Sequence, residues 1–308
     1  MPELPEVHTT ASLLNKLVRN KIIKSIWTDY DSKYYYGKEN IKDPKYFQNF
    51  SKSIKKKKIL KVWRRAKNVL IDIEGDKTIS IHMKMTGQLL YGKYKKNQKN
   101  KTGFGWYASE KGPLQNSFSR FIHLVFILDD GKHIAFSDMR KFGTVKLISD
   151  KEALQEEFEM IGPEPLEKGF DLNKLKEVLT KKPSGFIKTV LMDPSIISGI
   201  GNIYSDEILF ASKIAPDQIV SNLSDNDYKN IFLYTKKILS KGIDLGGDSM
   251  SDYRNPYGEK GEFQLHHKVY GRKNQKCLGR GCFGIIERKV INGRSSHFCP
   301  LCQKNDTK

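Results

Sequence analysis

The sequence predicts an α+β chain of two domains. The first is a β-sandwich with a flanking N-terminal helix, and the second is helical and ends in a cysteine-bearing β-hairpin. Three observations lead there. Residues 22 to about 148 are a succession of short β-branched and aromatic runs separated by polar turns, the pattern of sandwiches and barrels. The Pro/Gly stretch IGPEPL at 161–166 marks a linker, beyond which strand-like alternation is absent. All the cysteines fall between 277 and 302. A length of 308 residues is enough for two cores.

The elements follow in order. In residues 3–19 (ELPEVHTTASLLNKLVR), Val7, Ala11, Leu14, Leu17 and Val18 recur near a 3.6-residue period, with acids in the first turn to suit the dipole. The strand candidates are KIIKSIW, ILKVWRR, NVLIDIE, KTISIHM, IHLVFIL, HIAFSD and GTVKLI, with turns at Glu74-Gly75-Asp76 and Asp129-Asp130-Gly131. Residues 91–120 are polar, basic and aperiodic, and read as a long mobile loop. After the linker, GFIKTVLMD (185–193) is compactly apolar and stops at Pro194, and NIYSDEILFASK (202–213) follows a glycine turn. Residues 225–241 read as an amphipathic helix with Ser224 as N-cap, Asp227 at N3 and Gly242 just past its end. There is no internal repeat. The expected boundaries are 1–150 for the sandwich, 151–170 for the linker, 171–262 for a helical domain and 263–308 for the hairpin.

Composition narrows the partners. Lys and Arg number 54 against 35 acids, a formal charge of +19, and an excess of that size implies a polyanion, usually nucleic acid. The plainer alternative is a lysine-rich surface. No run approaches the roughly 20 apolar residues of a membrane span, and MPELPEV lacks the features of a signal peptide. The expected location is therefore the cytoplasm. Cys277-x4-Cys282 and Cys299-x2-Cys302 form two close pairs, which suggests a structural, four-thiolate zinc site rather than disulfides.

The N-terminus carries the most specific chemistry. Pro2 follows an initiator Met that is normally trimmed before a small residue, and trimming exposes a secondary amine. An α-amine has a pKa of about 7.7–8.0 against about 10.4 for Lys, so part of it is unprotonated and nucleophilic at neutral pH. Glu3 and Glu6 share a helix face, so one can act as general acid while the other orients the amine. Read as structure alone, the same residues are a helix start with capping acids. Gly199-Ile200-Gly201-Asn202 at a helix start exposes backbone N–H groups suited to a phosphate, and is not a dinucleotide fingerprint.

MPELPEV resembles the opening of the formamidopyrimidine-DNA glycosylase family, and the resemblance continues in order through almost the whole chain. WRRAKNVL (63–70), HMKMTGQL (82–89), SDMRKFG (137–143), GPEPL, LMDPSIISGIGNIYSDEILF, SDYRNPYGEKGEFQ, VYGR and the terminal Cys-x-x-Cys-Gln all fit. The first cysteine pair departs from the family's two-residue gap. The resemblance implies a helix–two-turn–helix DNA-binding domain, one structural zinc, and a catalytic group of Pro2, Glu3, Glu6, Lys67 and, more loosely, Glu207. It implies DNA contacts from His82, Met85, Arg140, Lys141, Phe142, Asn202 and Arg294. Met85, Arg140 and Phe142 would fill the hole left by an everted nucleotide. The loop at 249–263, flexible by composition, would close on an oxidised purine. The implied activity is removal of oxidised purines from duplex DNA through a Schiff base on Pro2, then β,δ-elimination. The implied enzyme is a monomer with damaged double-stranded DNA in a basic cleft between the domains. An oxidised-pyrimidine glycosylase and a non-catalytic damaged-DNA-binding protein are the alternatives.

Overall fold

The computed structural model describes residues 1–97 and 105–304. They fall into two compact units: 1–159 with 246–262, and 160–245 with 263–304. Among them no helix is long and apolar enough to cross a membrane.

The first unit opens with helix α1 (Leu4–Val18), its Glu3 and Glu6 joined in a capping box. Strand β1 (Ile23–Thr28) and helix α2 (Pro44–Ile54), capped by Asp43, follow. Then come β2 (Ile59–Arg65), β3 (Asn68–Ile73), β4 (Lys77–His82), β5 (Gly87–Gly92), β6 (Tyr94–Lys96) and β7 (Trp106–Ala108). Strands β8 (Ile122–Leu128), β9 (His133–Asp138) and β10 (Thr144–Ile148) and helix α3 (Lys151–Phe158) complete the run. Two antiparallel four-stranded sheets result, in the orders β1-β8-β9-β5 and β10-β4-β3-β2. One core lies between them and receives Val7, Ala11, Leu14 and Val18 of α1 with Val69, Ile71, Ile79, Ile81, Leu124, Phe126 and Phe136. The flanked sandwich read from the sequence is the one observed.

The stretch 91–120 departs from its expectation as a mobile loop. Its tip, 98–104, lies outside the described residues, but β6 and β7 pair as a hairpin. Tyr94, Trp106 and Ala108 are buried against Leu90, Val125 and Ala135, on the face of the first sheet that points away from the main core. Lys95, Lys96 and Tyr107 face outward. Trp106–Ala108 alternates and Tyr94–Lys96 does not, and runs of three residues among lysines are too short to show a period of two.

The second unit holds α4 (Leu172–Leu179), α5 (Ile187–Met192), α6 (Asn202–Ser212) and α7 (Asp225–Asp244), then a hairpin of β11 (Glu287–Ile291) and β12 (Arg294–Phe298). Ser224 and Asp227 close the expected capping box on α7. Gly242, expected just past the end, is buried inside the helix, and the stop falls to Gly246 at φ +71°. VYGR forms no strand, because the N–H groups of 268–270 are turned onto a carboxylate of α6. The segment 246–262, grouped by sequence with the helical domain, belongs to the first unit.

Candidate active site

Pro2 is buried immediately before α1. Behind it, Glu6 (1% exposed) has both carboxylate oxygens on backbone donors. Oε2 accepts from the Glu3 N–H at 2.7 Å, and Oε1 accepts from the Asp248 N–H at 2.6 Å. Gly247, at φ +88°, packs so closely that a Cβ there would lie 2.8 Å from Glu6 Cγ. Tyr253 donates its hydroxyl to the Glu6 carbonyl at 3.0 Å. Glu6 thus fixes the peptide that carries Pro2 and ties the 246–262 segment to the same point. Glu3 is engaged as well, its side chain accepting from the Glu6 N–H in the capping box.

Lys67 sits in the two-residue turn between β2 and β3, beside Ala66 at φ +52°. The ladder puts Asn68 opposite His82, so the β4 end carries His82 to the same edge. Burial, then the positive charges of Lys84 and Lys67, push the His82 pKa down to about 3. His82 is therefore neutral at physiological pH. Its Nδ1 accepts from the Lys84 N–H at 3.0 Å, which leaves the proton on Nε2 and makes that atom a donor.

Met85, Arg140 and Phe142 stand on two turns braced by Asp138, which is fully buried at the end of β9. Asp138 Oδ1 accepts from the Thr86 hydroxyl at 2.5 Å and Oδ2 from the Gly143 N–H at 2.7 Å, while Thr86 Oγ1 accepts from the Arg140 N–H at 3.1 Å. Met85 is 43% exposed and Phe142 48%, and the Arg140 guanidinium lies 4.4 Å from the Phe142 ring centroid. None of the three is core. Lys141 is exposed, at φ +55°, and its carbonyl accepts from the buried Lys42 ammonium at 2.7 Å. Burial lowers the Lys42 pKa to about 8. Sequence reasoning missed Thr86, Asp138 and Lys42. Asp138 lay within the SDMRKFG block, and its signal was a lone acid closing the strand HIAFSD.

In the second unit, Asn202 is the first residue of α6, after the Gly201 N-cap. Glu207 follows in the same helix. Its carboxylate, 2% exposed, accepts the backbone N–H groups of Lys268 (2.9 Å), Val269 (3.0 Å) and Tyr270 (2.9 Å). With its oxygens on these three N–H groups it holds the approach to the hairpin. Its neighbour Asp206 does the parallel task. Oδ1 meets the Lys188 ammonium at 2.5 Å, both side chains fully buried, and Oδ2 accepts from the His297 N–H at 2.9 Å.

The hairpin turns on Asn292 (φ +46°) and Gly293 (φ +74°), the two-residue loop that asparagine–glycine favours, and Arg294 stands exposed beside it. The four cysteine sulfurs lie within 4.8 Å of one another. Cys277–Cys302 and Cys282–Cys299 are 3.7 and 3.6 Å apart. Four Zn–S bonds of about 2.3 Å in a tetrahedron need S···S edges of about 3.8 Å, so the donor set fits zinc. Glycines pack against the sulfurs, Gly279 inside the x4 gap and Gly284 just beyond it. Gly279 and Gly284 donate their N–H groups to Cys277 and Cys282 at 3.2 and 3.3 Å, and a Cβ on Gly284 would lie 2.9 Å from the Cys299 sulfur.

Comparison with known proteins agrees with this arrangement. Residues 1–145 match the formamidopyrimidine-DNA glycosylase N-terminal domain, 161–254 the H2TH domain of the same family, and 280–305 a zinc finger found in FPG and IleRS. Cys277 lies just before the last match. Sandwich, helical unit and four-cysteine hairpin together define a helix–two-turn–helix protein with a zinc finger. Formamidopyrimidine-DNA glycosylases of Carboxydothermus hydrogenoformans and Bacillus subtilis are 35% and 33% identical over 99% and 98% of this chain and 100% and 99% of theirs. A solved complex of the Lactococcus lactis Fpg with DNA containing an abasic site superposes with a TM-score of 0.81 at 30% identity, over 98% of this chain and 100% of that one. The chain belongs to the formamidopyrimidine-DNA glycosylase family.

Proposed function

We propose that this chain is a bifunctional DNA glycosylase and abasic-site lyase that removes oxidised purines from duplex DNA, as a monomer in the cytoplasm. The observation that carries the reading is the buried Pro2 held in place through Glu3 and Glu6, in a chain of this family. The Pro2 nitrogen attacks C1′ of the damaged nucleoside, and the base leaves with the glycosidic electron pair and takes up the proton that the amine loses on bonding. Glu3 protonates the sugar ring oxygen as the ring opens to an iminium on Pro2. The iminium acidifies C2′–H, so β-elimination breaks the C3′–O bond and δ-elimination then breaks the C5′–O bond. Lys67, Asn202 and Arg294 contact phosphates around the lesion, and His82 and Lys141 add contacts nearby. The deciding assay is strand nicking on duplexes carrying 8-oxoguanine or an oxidised pyrimidine. Preference for 8-oxoguanine is expected; preference for the pyrimidine would move the chain to the other branch, and no nicking of either would leave a binding protein.

We further propose one zinc ion on Cys277, Cys282, Cys299 and Cys302. Four thiolates leave no open coordination position, so the ion is structural. Metal analysis of protein purified without chelators should give near-stoichiometric zinc. Cys299→Ser should lose zinc and DNA affinity while the sandwich stays folded; absence of zinc in the parent protein would refute the site.

Arg294 should act through charge. Each phosphate contact contributes about −0.9 to the slope of log affinity against log salt. Arg294→Ala should therefore make that slope shallower by roughly one unit. An unchanged slope and affinity would remove Arg294 from the contact set.

A further inference from the structure

The far end of the 91–120 stretch is built against the segment 246–262. Gly258, at φ +83°, lies on the Pro113–Leu114 backbone so closely that a Cβ would sit 2.6 Å from the Pro113 carbonyl carbon. Arg254 is 2% exposed; its guanidinium donates to the Ser251 and Tyr253 carbonyls at 3.1 and 2.6 Å and lies 5.2 Å from the Phe118 ring centroid. Gln88 of β5, fully buried, joins both segments. Its amide donates to the Asp252 carbonyl and, at 3.3 Å, to the Phe118 carbonyl, while its oxygen accepts from the Ser119 hydroxyl at 3.1 Å. The Tyr91 N–H adds a bond to the Pro256 carbonyl at 2.8 Å. The neck is shut separately: a Cβ on Gly261 would lie 2.2 Å from the Gly247 carbonyl oxygen, and the Gly261 N–H donates to Ser249 Oγ at 2.9 Å.

A glycine-rich, polar segment of this length is mobile by composition. Here its tip is held by contacts that none of its own residues could supply alone. We propose that residues 113–119 are a clamp that keeps 246–262 in one conformation before DNA arrives, with Phe118 and Arg254 as positioning residues. This rests on the reading that the loop at 249–263 closes on an oxidised purine. A loop already ordered loses less conformational entropy when it meets the base, so the clamp favours lesion binding without touching the lesion. It acts only where a base is present, since an abasic site offers the loop nothing to close on.

Two variants open the clamp from opposite sides. Phe118→Ala removes the ring under Arg254. Gly258→Ala drives a Cβ into the Pro113 backbone at a positive φ. Amide hydrogen exchange over 249–260 should rise by about tenfold or more in each, while β8 and β9 stay protected. Excision of 8-oxoguanine should fall by about tenfold, mainly through KM, with cleavage of a preformed abasic site close to parent. Unchanged exchange over 249–260 in both folded variants overturns the clamp. Should one variant fail to fold, the other decides. Exchange that rises while excision and abasic cleavage both stay at parent levels, or fall together, keeps the clamp as a contact and overturns the reading that the loop closes on a base.

Discussion

Incubated with borohydride and a duplex carrying 8-oxoguanine, the protein should become covalently joined to the DNA, and the joined peptide should begin at Pro2. The physical ground is the amine. Once Met1 is removed, Pro2 presents a secondary α-amine whose pKa of about 7.7–8.0 lies far below a lysine's. A secondary amine condensing at C1′ gives an iminium, the species borohydride reduces. The structure adds that the amine's position is set by its own chain: the Glu3 N–H is bound by Glu6, and Glu6 is locked against Gly247 and Asp248. Intact mass should show loss of Met1. Blocking the amine should abolish trapping and reduce turnover by roughly a thousandfold or more, the scale of nucleophile deletions. An adduct mapped to a lysine, or trapping that survives in Pro2→Gly with a blocked amine, would put the nucleophile elsewhere.

How far the sequence reached can be judged residue by residue. Most strands of the sandwich were legible from their β-branched and aromatic runs, but β5 was not, because its GQLLYG begins and ends in glycine. The β6–β7 hairpin was not, because Tyr94, Trp106 and Ala108 are diluted by lysines and separated by a long tip. The capping box of α7 was legible because Ser224 and Asp227 act locally; its end was misplaced at Gly242 because a glycine buried in a helix and one that stops a helix look alike in one dimension. Pro2 and the cysteines stand out by chemistry and spacing. Glu207 shows the opposite limit. Its carboxylate holds the N–H groups of Lys268, Val269 and Tyr270, partners too distant in sequence for any local pattern to announce. Asp138 and Lys42 belong to the same class: buried charges whose partners are distant in sequence.

Met85→Ala should leave stability almost untouched and sharply reduce base excision. A methionine in the core would cost about 2–5 kcal/mol on truncation. Met85 instead stands 43% exposed on a turn held from below by Thr86 and Asp138, so its removal should cost no more than about 0.5 kcal/mol. The expected loss lies in catalysis. Taking a base out of the stack costs a few kcal/mol, and an apolar wedge entering the gap offsets part of it. Losing about 1.4–2.8 kcal/mol of that offset slows excision tenfold to a hundredfold. Arg140 and Phe142, stacked on the facing turn, should behave alike. A preformed abasic site has no base to extract, so its cleavage should fall much less. Asp138→Ala is the contrasting case: it strips buried donors of their acceptor, which costs about 1–3 kcal/mol, and it loosens both turns, so stability and excision should fall together. The measurements are a thermal melt and two activity assays on each variant. A large drop in melting temperature for Met85→Ala, with both activities falling in step, would make Met85 a packing residue and end its assignment as a wedge.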